Sequence, residues 1–389
     1  MEVFSGGHGL VVGVAATALE ATTGGSMTRP EEDHQVILDG RVEFLEQRLQ
    51  EYVEEGVTPG VAFGLIALSE ARFGFMGNAQ IVPEVEEMKE DSIFDVASLT
   101  KVIATLPSVL VLEEDGEIGL YDTVRSFLPD YVHGDTTVLQ LLTHTSGLPG
   151  IVKFYKTCSG RDEIVAALKN TELEYEPGTK VVYSDLNFML LGLIVEKVSE
   201  SIDVFAEEHV FRPMEMADTC FNPTAEKKSR CVATEVQDGR GGTIRGVVHD
   251  GNAYAMGGVS GHAGLFSTAH DLSRFATMVL NDGLLSGKRV LSANSVNMMS
   301  KCWTEGMNQR RGLGWMLKNE GGAMGDLTSD NCLFHTGFTG GSVLIDREYG
   351  MAFFLLTNRI HPSRDNTRLL DRRGYINNIA ETSVRYRRH

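Results

Sequence analysis

The 389-residue chain has few cysteines and none of the common cysteine or histidine metal motifs. Its five cysteines are odd in number, and neither a C-x-x-C pair nor an H-E-x-x-H motif occurs. These motifs place metal or redox ligands at neighbouring positions, so their absence gives no support for a zinc site or a dithiol centre. We therefore expect free thiols in a reducing compartment.

Motifs for nucleotide binding and for α/β-hydrolase catalysis are also missing. No P-loop occurs, and no G-x-G-x-x-G joins a predicted strand to a predicted helix. The nucleophile elbow G-x-S-x-G is absent as well. We expect no cofactor.

Basic residues are scarce relative to acidic ones. The chain has 35 Lys and Arg against 53 Asp and Glu, which gives a net charge of −18. Such a charge argues against a nucleic-acid partner, but it does not select a substrate.

Long apolar runs are lacking too. The run from Leu10 to Leu19 is too short to cross a bilayer, has no Lys or Arg before it, and is followed by Glu20. It is therefore a poor secretory signal. We interpret residues 1–27 as a disordered leader or an artificial extension, and we expect no membrane span and a cytoplasmic location.

The apolar pattern that is present predicts strands near both ends of the chain. An amphipathic helix at Glu31–Glu55 precedes two strands, Val61–Leu68 and Ala71–Ala79. Three further strands and a last helix are predicted late in the chain: Leu333–Thr336, Ser342–Asp346, Met351–Thr357 and Asp365–Tyr386.

The stretch between these strands has mostly helical periodicity, with helix candidates at Thr137–Thr143, Asp162–Asn170, Asp185–Val198 and Val204–Val210. We predict an α+β fold, an α/β sandwich whose antiparallel sheet is flanked by the N- and C-terminal helices. Residues 28–115 and 250–389 would form the sheet domain, and residues 116–249 a helical domain inserted into it. The last helix is rich in arginine and the first is acidic, so we expect them to pack side by side with opposite charges facing.

One short motif indicates nucleophilic catalysis. Ser98 and Lys101 form an S-x-x-K sequence at the start of an apolar helix. Residues three apart share a helix face, so the lysine amine can reach the serine hydroxyl and help to remove its proton. The helix N-terminus also offers free N–H groups to an oxyanion. A pattern of four residues arises by chance, however, so the motif needs support from elsewhere in the chain.

Two later stretches provide that support. Tyr183-Ser184-Asp185 leads into an apolar helix, and His335-Thr336-Gly337 ends a late strand. Each also has a structural explanation, because Asp185 could be a helix cap and Gly337 part of a bend.

Taken in order, the three motifs resemble those of the serine β-lactamase and penicillin-binding-protein superfamily: S-x-x-K, Y-x-N, and K-T-G or H-x-G. The resemblance extends over roughly residues 57–364 and is nearest to the class C β-lactamase and esterase-like branch. Other stretches resemble the same branch: Leu141–Leu148, Gly257–Ser267 and Leu355–Arg359.

The resemblance implies a role for each matching residue. Ser98 would be the acylated nucleophile, and Lys101 and Tyr183 would share the role of base, with the pKa of the phenol lowered by the ammonium. The backbone N–H groups of Ser98 and Phe338 would form the oxyanion hole. Substrate-binding positions would be Asp185, His335, Thr336 and Gly337, the last by letting substrate approach the strand.

Two departures from the family pattern bear on the substrate. His335 stands where β-lactamases and transpeptidases have a lysine for the substrate carboxylate, so esters and amides become more plausible than β-lactams. Asp185 stands in the asparagine position, and beside Lys101 it would favour the ammonium and leave Tyr183 as the principal base.

We therefore predict a serine hydrolase that acts on small esters or amides, among them cell-wall peptide or muropeptide fragments. The alternatives are β-lactamase or D,D-carboxypeptidase activity, or a non-catalytic module that binds peptidoglycan fragments or a partner in the same cleft. We expect structural hydrogen bonding, more than catalysis, from His144, His249 and His262, and we place His249-Asp250 and Gly257–Ser267 along the cleft.

Overall fold

The structure, a computed structural model, describes residues 36–67, 70–319 and 322–385. At its centre lies a six-stranded antiparallel sheet with the strand order β4-β5-β6-β1-β2-β3. The strands are β1 (Gly60–Ala67), β2 (Glu70–Gln80), β3 (Glu86–Glu87), β4 (Cys332–Thr336), β5 (Ser342–Asp346) and β6 (Met351–Thr357). Strands from the two ends of the chain meet where β1 pairs with β6, which confirms the predicted antiparallel sheet.

Two terminal helices cover one face of this sheet. Helix α1 (Asp39–Glu54) contacts helix α5 (Arg373–Glu381), and the short strands Val36–Ile37 and Val384–Arg385 pair beside them. Their buried side chains share one cluster with those of the sheet, including Leu45, Leu49, Leu65, Phe353 and Ile376. The two ends of the chain therefore pack side by side, as predicted.

The charges on these helices do not pair as expected. Among the described residues, no ion pair joins α1 to α5 or to the turns before α5. The Arg368 guanidinium instead donates to the carbonyl of Glu55, at 3.0 Å, and that of Arg372 lies 5.6 Å from the Tyr52 ring centre. The carbonyls at a helix C-terminus lack partners within the helix, so arginine satisfies them there.

The opposite face carries the larger core. Helices α2 (Leu106–Glu114), α3 (Asp185–Val198) and α4 (Ala269–Leu280) contribute to it, and α4 contacts β1 and β6. The sequence analysis missed α4, although Thr268 caps it by accepting a hydrogen bond from the Asp271 N–H. The stretch that forms α4 has no strand pattern, and most of its aromatic and aliphatic residues are buried in the structure.

Shorter elements complete the fold. The helices and helical turns are Val124–Phe127, Val138–Leu142, Phe154–Lys156, Arg161–Lys169, Ile202–Ala206, Glu207–Phe211, Ala225–Lys228, Asp238–Arg240, Gly251–Ala255 and Ala293–Ser300. The strands are Phe94–Asp95, Cys220–Phe221, Ala233–Gln237, Gly242–Arg245, Leu265–Ser267, Leu284–Leu285 and Lys288–Arg289.

The regular structure within residues 116–249 is mainly helical but also includes the hairpin Ala233–Gln237 and Gly242–Arg245, which the sequence analysis did not predict. The division into two domains stays a prediction, as does the cytoplasmic location. The predicted leader, residues 1–27, lies outside the described residues. Within the described ranges, no helix has both the length and the apolar character needed to cross a bilayer.

The segment that carries Ser98 winds in three steps before it becomes regular. A 3₁₀ turn at Ala97–Leu99 is followed by a π turn at Lys101–Thr105 and then by α2. Pro107 lies in the first turn of α2, directly after the π turn. The helical type therefore changes just before the proline, which cannot donate a backbone hydrogen bond.

Helix α3 is held against the 260–262 loop by a contact between two glycines. A Cβ added to Gly261 would lie 2.1 Å from the Phe188 carbonyl oxygen and 2.9 Å from the Gly192 nitrogen. Both atoms belong to backbone, so no side chain can move aside. This contact fixes the loop that reaches Lys101.

We expect Gly261→Ala to lower the free energy of unfolding by about 2 kcal/mol, because overpacking forces the helix and the loop apart. Urea denaturation followed by circular dichroism measures the change. Gly40→Ala in α1 is the matched control, since a Cβ there meets no atom within 4 Å and should stabilise the helix slightly. Equal unfolding midpoints for the two variants would contradict the close approach.

Candidate active site

The turn before Ser98 is shaped by a buried aspartate. Asp95 Oδ1 accepts a hydrogen bond from the Ala97 N–H at 2.8 Å, and its Oδ2 accepts one from the His249 N–H at 2.7 Å. Ala97 has a φ of 48°, a conformation that non-glycine residues rarely adopt. Asp95 therefore holds a tight turn that presents Ser98 at the start of its helix, a role that the sequence analysis missed.

Lys101 is fully buried beside that serine. Its Nζ lies 3.0 Å from Ser98 Oγ, 2.8 Å from Asp185 Oδ1 and 2.9 Å from the His262 carbonyl oxygen. An ammonium has three N–H bonds, and these three acceptors can take all of them. The geometry is that of a charged lysine that orients the serine oxygen.

The electrostatics agree with this protonation state. Burial lowers the pKa of Lys101, but the charges of Asp185 and Tyr183 outweigh it, so the pKa lies above its ordinary value. The Asp185 side chain is 14% exposed and its Oδ1 is engaged by the ammonium. Asp185 therefore pairs with Lys101 and favours its ammonium form, as predicted, and its contact with substrate stays a prediction.

Tyr183 lies over the same pair of residues. The Lys101 Nζ is 5.1 Å from its ring centre, and hydrogen bonds to Lys101 and Ser98 each favour the phenolate. Burial nevertheless raises the pKa of Tyr183 more than the Lys101 charge lowers it. The ammonium thus lowers the pKa of Tyr183 as predicted, but desolvation shifts that pKa upward overall.

His335 is buried and neutral. Burial lowers its pKa well below the ordinary value, and the positive charges of Lys101 and Arg311 lower it further. Its Nδ1 lies 2.9 Å from the Thr336 carbonyl oxygen, so the proton belongs on Nδ1, and Nε2 is a buried acceptor without a partner among the described residues. It does not supply the positive charge that a lysine would.

Gly337 and Thr339 bring the end of β4 against the turn before Ser98. A Cβ on Gly337 would lie 2.5 Å from the Val96 carbonyl oxygen, and Thr339 Oγ1 donates to the Asp95 carbonyl at 2.7 Å. The missing side chain thus permits a close approach of two backbones, and its role in admitting substrate stays a prediction. The Phe338 backbone lies between these two contacts, and its N–H as an oxyanion donor stays a prediction.

The Phe338 side chain stands at the mouth of the site. The residue is 47% exposed, and its ring centre lies 5.6 Å from that of His249 and 5.1 and 5.5 Å from the guanidinium carbons of Arg359 and Arg364. Thr336 is half-buried at the end of β4.

The three histidines with predicted structural roles, His144, His249 and His262, make hydrogen bonds within the protein. His144 Nδ1 accepts from the Ser184 N–H at 3.1 Å, and its ring centre lies 4.7 Å from that of Tyr183. His249 Nε2 lies 2.9 Å from Glu235, and His262 Nε2 lies 2.9 Å from Asp250. These hydrogen bonds hold the loops around the cleft in place.

Candidate metal ligands lie elsewhere. Among the described residues, the group able to hold a metal ion is Cys332, Asp346 and Glu381, whose ligand atoms lie within 4.8 Å of one another. Cys332 begins β4 and Asp346 ends β5, so the group lies at the opposite end of these strands from the Ser98 turn. All five cysteines are free thiols, of which Cys231 and Cys332 are buried.

Comparisons with known proteins find relatives along most of the chain. The model of the family described as Beta-lactamase matches residues 45–376. The N-acetylmuramyl-L-alanine amidase of Bacillus subtilis is 32% identical over 331 residues, which cover 76% of this chain and 75% of that protein. The putative D-alanyl-D-alanine carboxypeptidase of Escherichia coli K12 is 33% identical over 304 residues, which cover 69% of this chain and 70% of that protein.

Solved structures share the fold. A class C beta-lactamase superposes with a TM-score of 0.72 at 18% identity, covering 91% of this chain and 99% of that one. The hydrolase EstCE1, which has promiscuous acyltransferase activity, superposes with a TM-score of 0.68 at 19% identity, covering 88% and 98%.

We expect Asp185→Asn to lower the free energy of unfolding by about 3 kcal/mol at neutral pH, because the buried Lys101 charge would lose its counter-ion. The pKa of Lys101 is raised in the folded protein, so the ion pair stabilises below the ordinary value of 10.5 and is lost only as the pH rises above it. The difference from wild type should stay constant from roughly pH 6 to 9 and shrink above that range. Urea denaturation at several pH values measures it.

Asp130→Asn is the control for that substitution. Asp130 is 69% exposed and pairs with Lys169 at 2.9 Å, nearly the same distance. Solvent screens this pair, so we expect a loss of less than about 1 kcal/mol. Similar losses in the two variants would show that burial adds nothing to the Lys101 pair.

Proposed function

Because the chain belongs to the beta-lactamase family and is a serine hydrolase, we propose that it cleaves small esters or amides through an acyl-enzyme on Ser98. The observation that supports this most directly is the 3.0 Å contact between Ser98 Oγ and the buried Lys101 amine. A binding module without catalysis would have no need of a buried cation held against a half-exposed hydroxyl.

The proposed reaction begins with proton transfer from Ser98. Tyr183 accepts the proton in its phenolate form, because Lys101 is already protonated and held so by Asp185. The Ser98 oxygen forms a bond to the substrate carbonyl carbon, and the backbone N–H groups of Ser98 and Phe338 stabilise the oxyanion. The bond to the leaving group then breaks as Tyr183 returns the proton to it.

Deacylation uses the same groups. Water attacks the ester carbonyl of the acyl-enzyme and gives a proton to the base. The bond to Ser98 Oγ breaks, the free acid leaves, and the serine recovers its proton. No cofactor enters either half of this scheme.

The substrate class follows from relatives and from His335. The relatives named above are called an amidase of N-acetylmuramyl-L-alanine and a putative D-alanyl-D-alanine carboxypeptidase, so we propose cell-wall peptide or muropeptide fragments. The neutral His335 favours a substrate without a carboxylate at that position. β-Lactam hydrolysis is correspondingly disfavoured.

We expect a fluorophosphonate probe to add its mass to Ser98 and to no other serine. Ser98→Ala should lose the label and lower kcat/KM for a p-nitrophenyl ester by about a thousandfold or more, since the nucleophile is gone. Intact-protein and peptide mass spectrometry locate the adduct. Ser126→Ala serves as the control for substitution itself, and full turnover by Ser98→Ala would refute the proposal.

We expect His335→Lys to raise the preference for a carboxylate-bearing ester over a matched neutral ester by about tenfold, equal to about 1.4 kcal/mol. The lysine would add a charge-assisted hydrogen bond where His335 is neutral. The ratio of the two kcat/KM values is the measurement, and His335→Gln is the neutral control. An unchanged ratio would mean that position 335 does not face the substrate.

A further inference from the structure

Arg311 is a buried residue behind Tyr183 that the reaction scheme does not use. It bridges to Met316, which in turn bridges to Phe334 of β4, so it extends the sheet edge beyond that strand. The residue is 3% exposed, and its Nη2 donates to Gln309 Oε1 at 3.1 Å. Its Nε and Nη1 are buried and find no hydrogen-bond partner among the described residues.

The charge on this guanidinium has no carboxylate beside it in the part of the chain that the structure describes. No acidic side chain in the described ranges lies within ion-pair distance of Arg311, and burial lowers its pKa to about 10. The group that acts in the other direction and favours the cation is Tyr183, whose ring centre lies 5.9 Å from the guanidinium carbon. Burying a cation without a counter-ion lowers the free energy of unfolding, and the protein retains Arg311 despite that loss of stability.

The other charged and titratable groups around Tyr183 cancel or are neutral. Lys101 carries a positive charge, and Asp185 offsets it at 2.8 Å. His144 and His335 both have pKa values well below the ordinary value, because burial disfavours their charged forms. Without Arg311, a Tyr183 phenolate would therefore be a net negative charge in a buried site.

We infer that Arg311 is a positioning residue whose unpaired charge stabilises the phenolate of Tyr183, and so makes Tyr183 able to take the proton of Ser98. In that step the proton moves from Ser98 Oγ to the phenolate oxygen, and the negative charge moves to the serine oxygen. As the serine oxygen bonds to the carbonyl carbon, that charge passes to the oxyanion of the substrate, and the Arg311 cation continues to balance it. The inference rests on the proposed function, in which Tyr183 is the base.

The test is the pH dependence of Ser98 acylation in Arg311→Gln, Arg311→Lys and wild type, with a neutral p-nitrophenyl ester corrected for the rate of Ser98→Ala. Removing a cation about 6 Å away raises the pKa of a phenol. The acylation rate of Arg311→Gln should therefore begin to rise at a pH about one unit or more above that of wild type. Arg311→Lys retains the charge and should keep most of the wild-type profile. Arg310→Gln is the neighbouring control, since Arg310 is 41% exposed and faces Asp330.

Each outcome separates the inference from the proposed function. A pH profile of Arg311→Gln that coincides with that of wild type, while Ser98 is still labelled by the fluorophosphonate, overturns the inference alone. Failure of wild-type Ser98 to be labelled overturns the proposed function. A profile displaced as much in Arg311→Lys as in Arg311→Gln also contradicts a role for charge. Should Arg311→Gln not fold, as judged by circular dichroism, Arg311→Met removes the charge and keeps more of the packing.

Discussion

A single buried ammonium organises the site. Lys101 can remain charged in the interior only if acceptors take its three N–H bonds, and these come from three separate segments: the hydroxyl of Ser98, the carboxylate of Asp185 and the carbonyl of His262. The contact between Gly192 and Gly261 brings the second and third segments together. The geometry of the nucleophile thus depends on how the protein satisfies one charge.

The same charge explains why Tyr183, and not Lys101, is the proposed base. An ammonium paired with Asp185 has no lone pair for the Ser98 proton, which leaves the phenol of Tyr183. Burial raises the pKa of that phenol, and the neighbouring rings of His144 and His335 are neutral and so do not lower it. No carboxylate among the described residues offsets the charge of Arg311. The proposed stabilisation of the Tyr183 phenolate would explain why the protein keeps a costly buried arginine there.

Much of the fold could be predicted because burial leaves a periodic trace in the sequence. The predicted strands Ser342–Asp346 and Met351–Thr357 and the helix Asp185–Val198 have the observed bounds, since each is almost wholly buried and ends at a polar residue or turn. Helix α4 and the hairpin after Ala233 were missed. The last helix was predicted too long, because turns with polar side chains precede it and share its composition.

The three motifs and their order could be recognised from the sequence, because each is a short run of neighbouring residues along one helix, strand or turn. Tertiary structure alone decided what surrounds them: that Gly337 contacts Val96, that the His262 carbonyl accepts from Lys101, and that Arg311 lies behind Tyr183 with no acidic partner among the described residues. The physical reason is that pKa values and charge balance depend on burial and on distances between residues far apart in the chain, and local sequence carries neither.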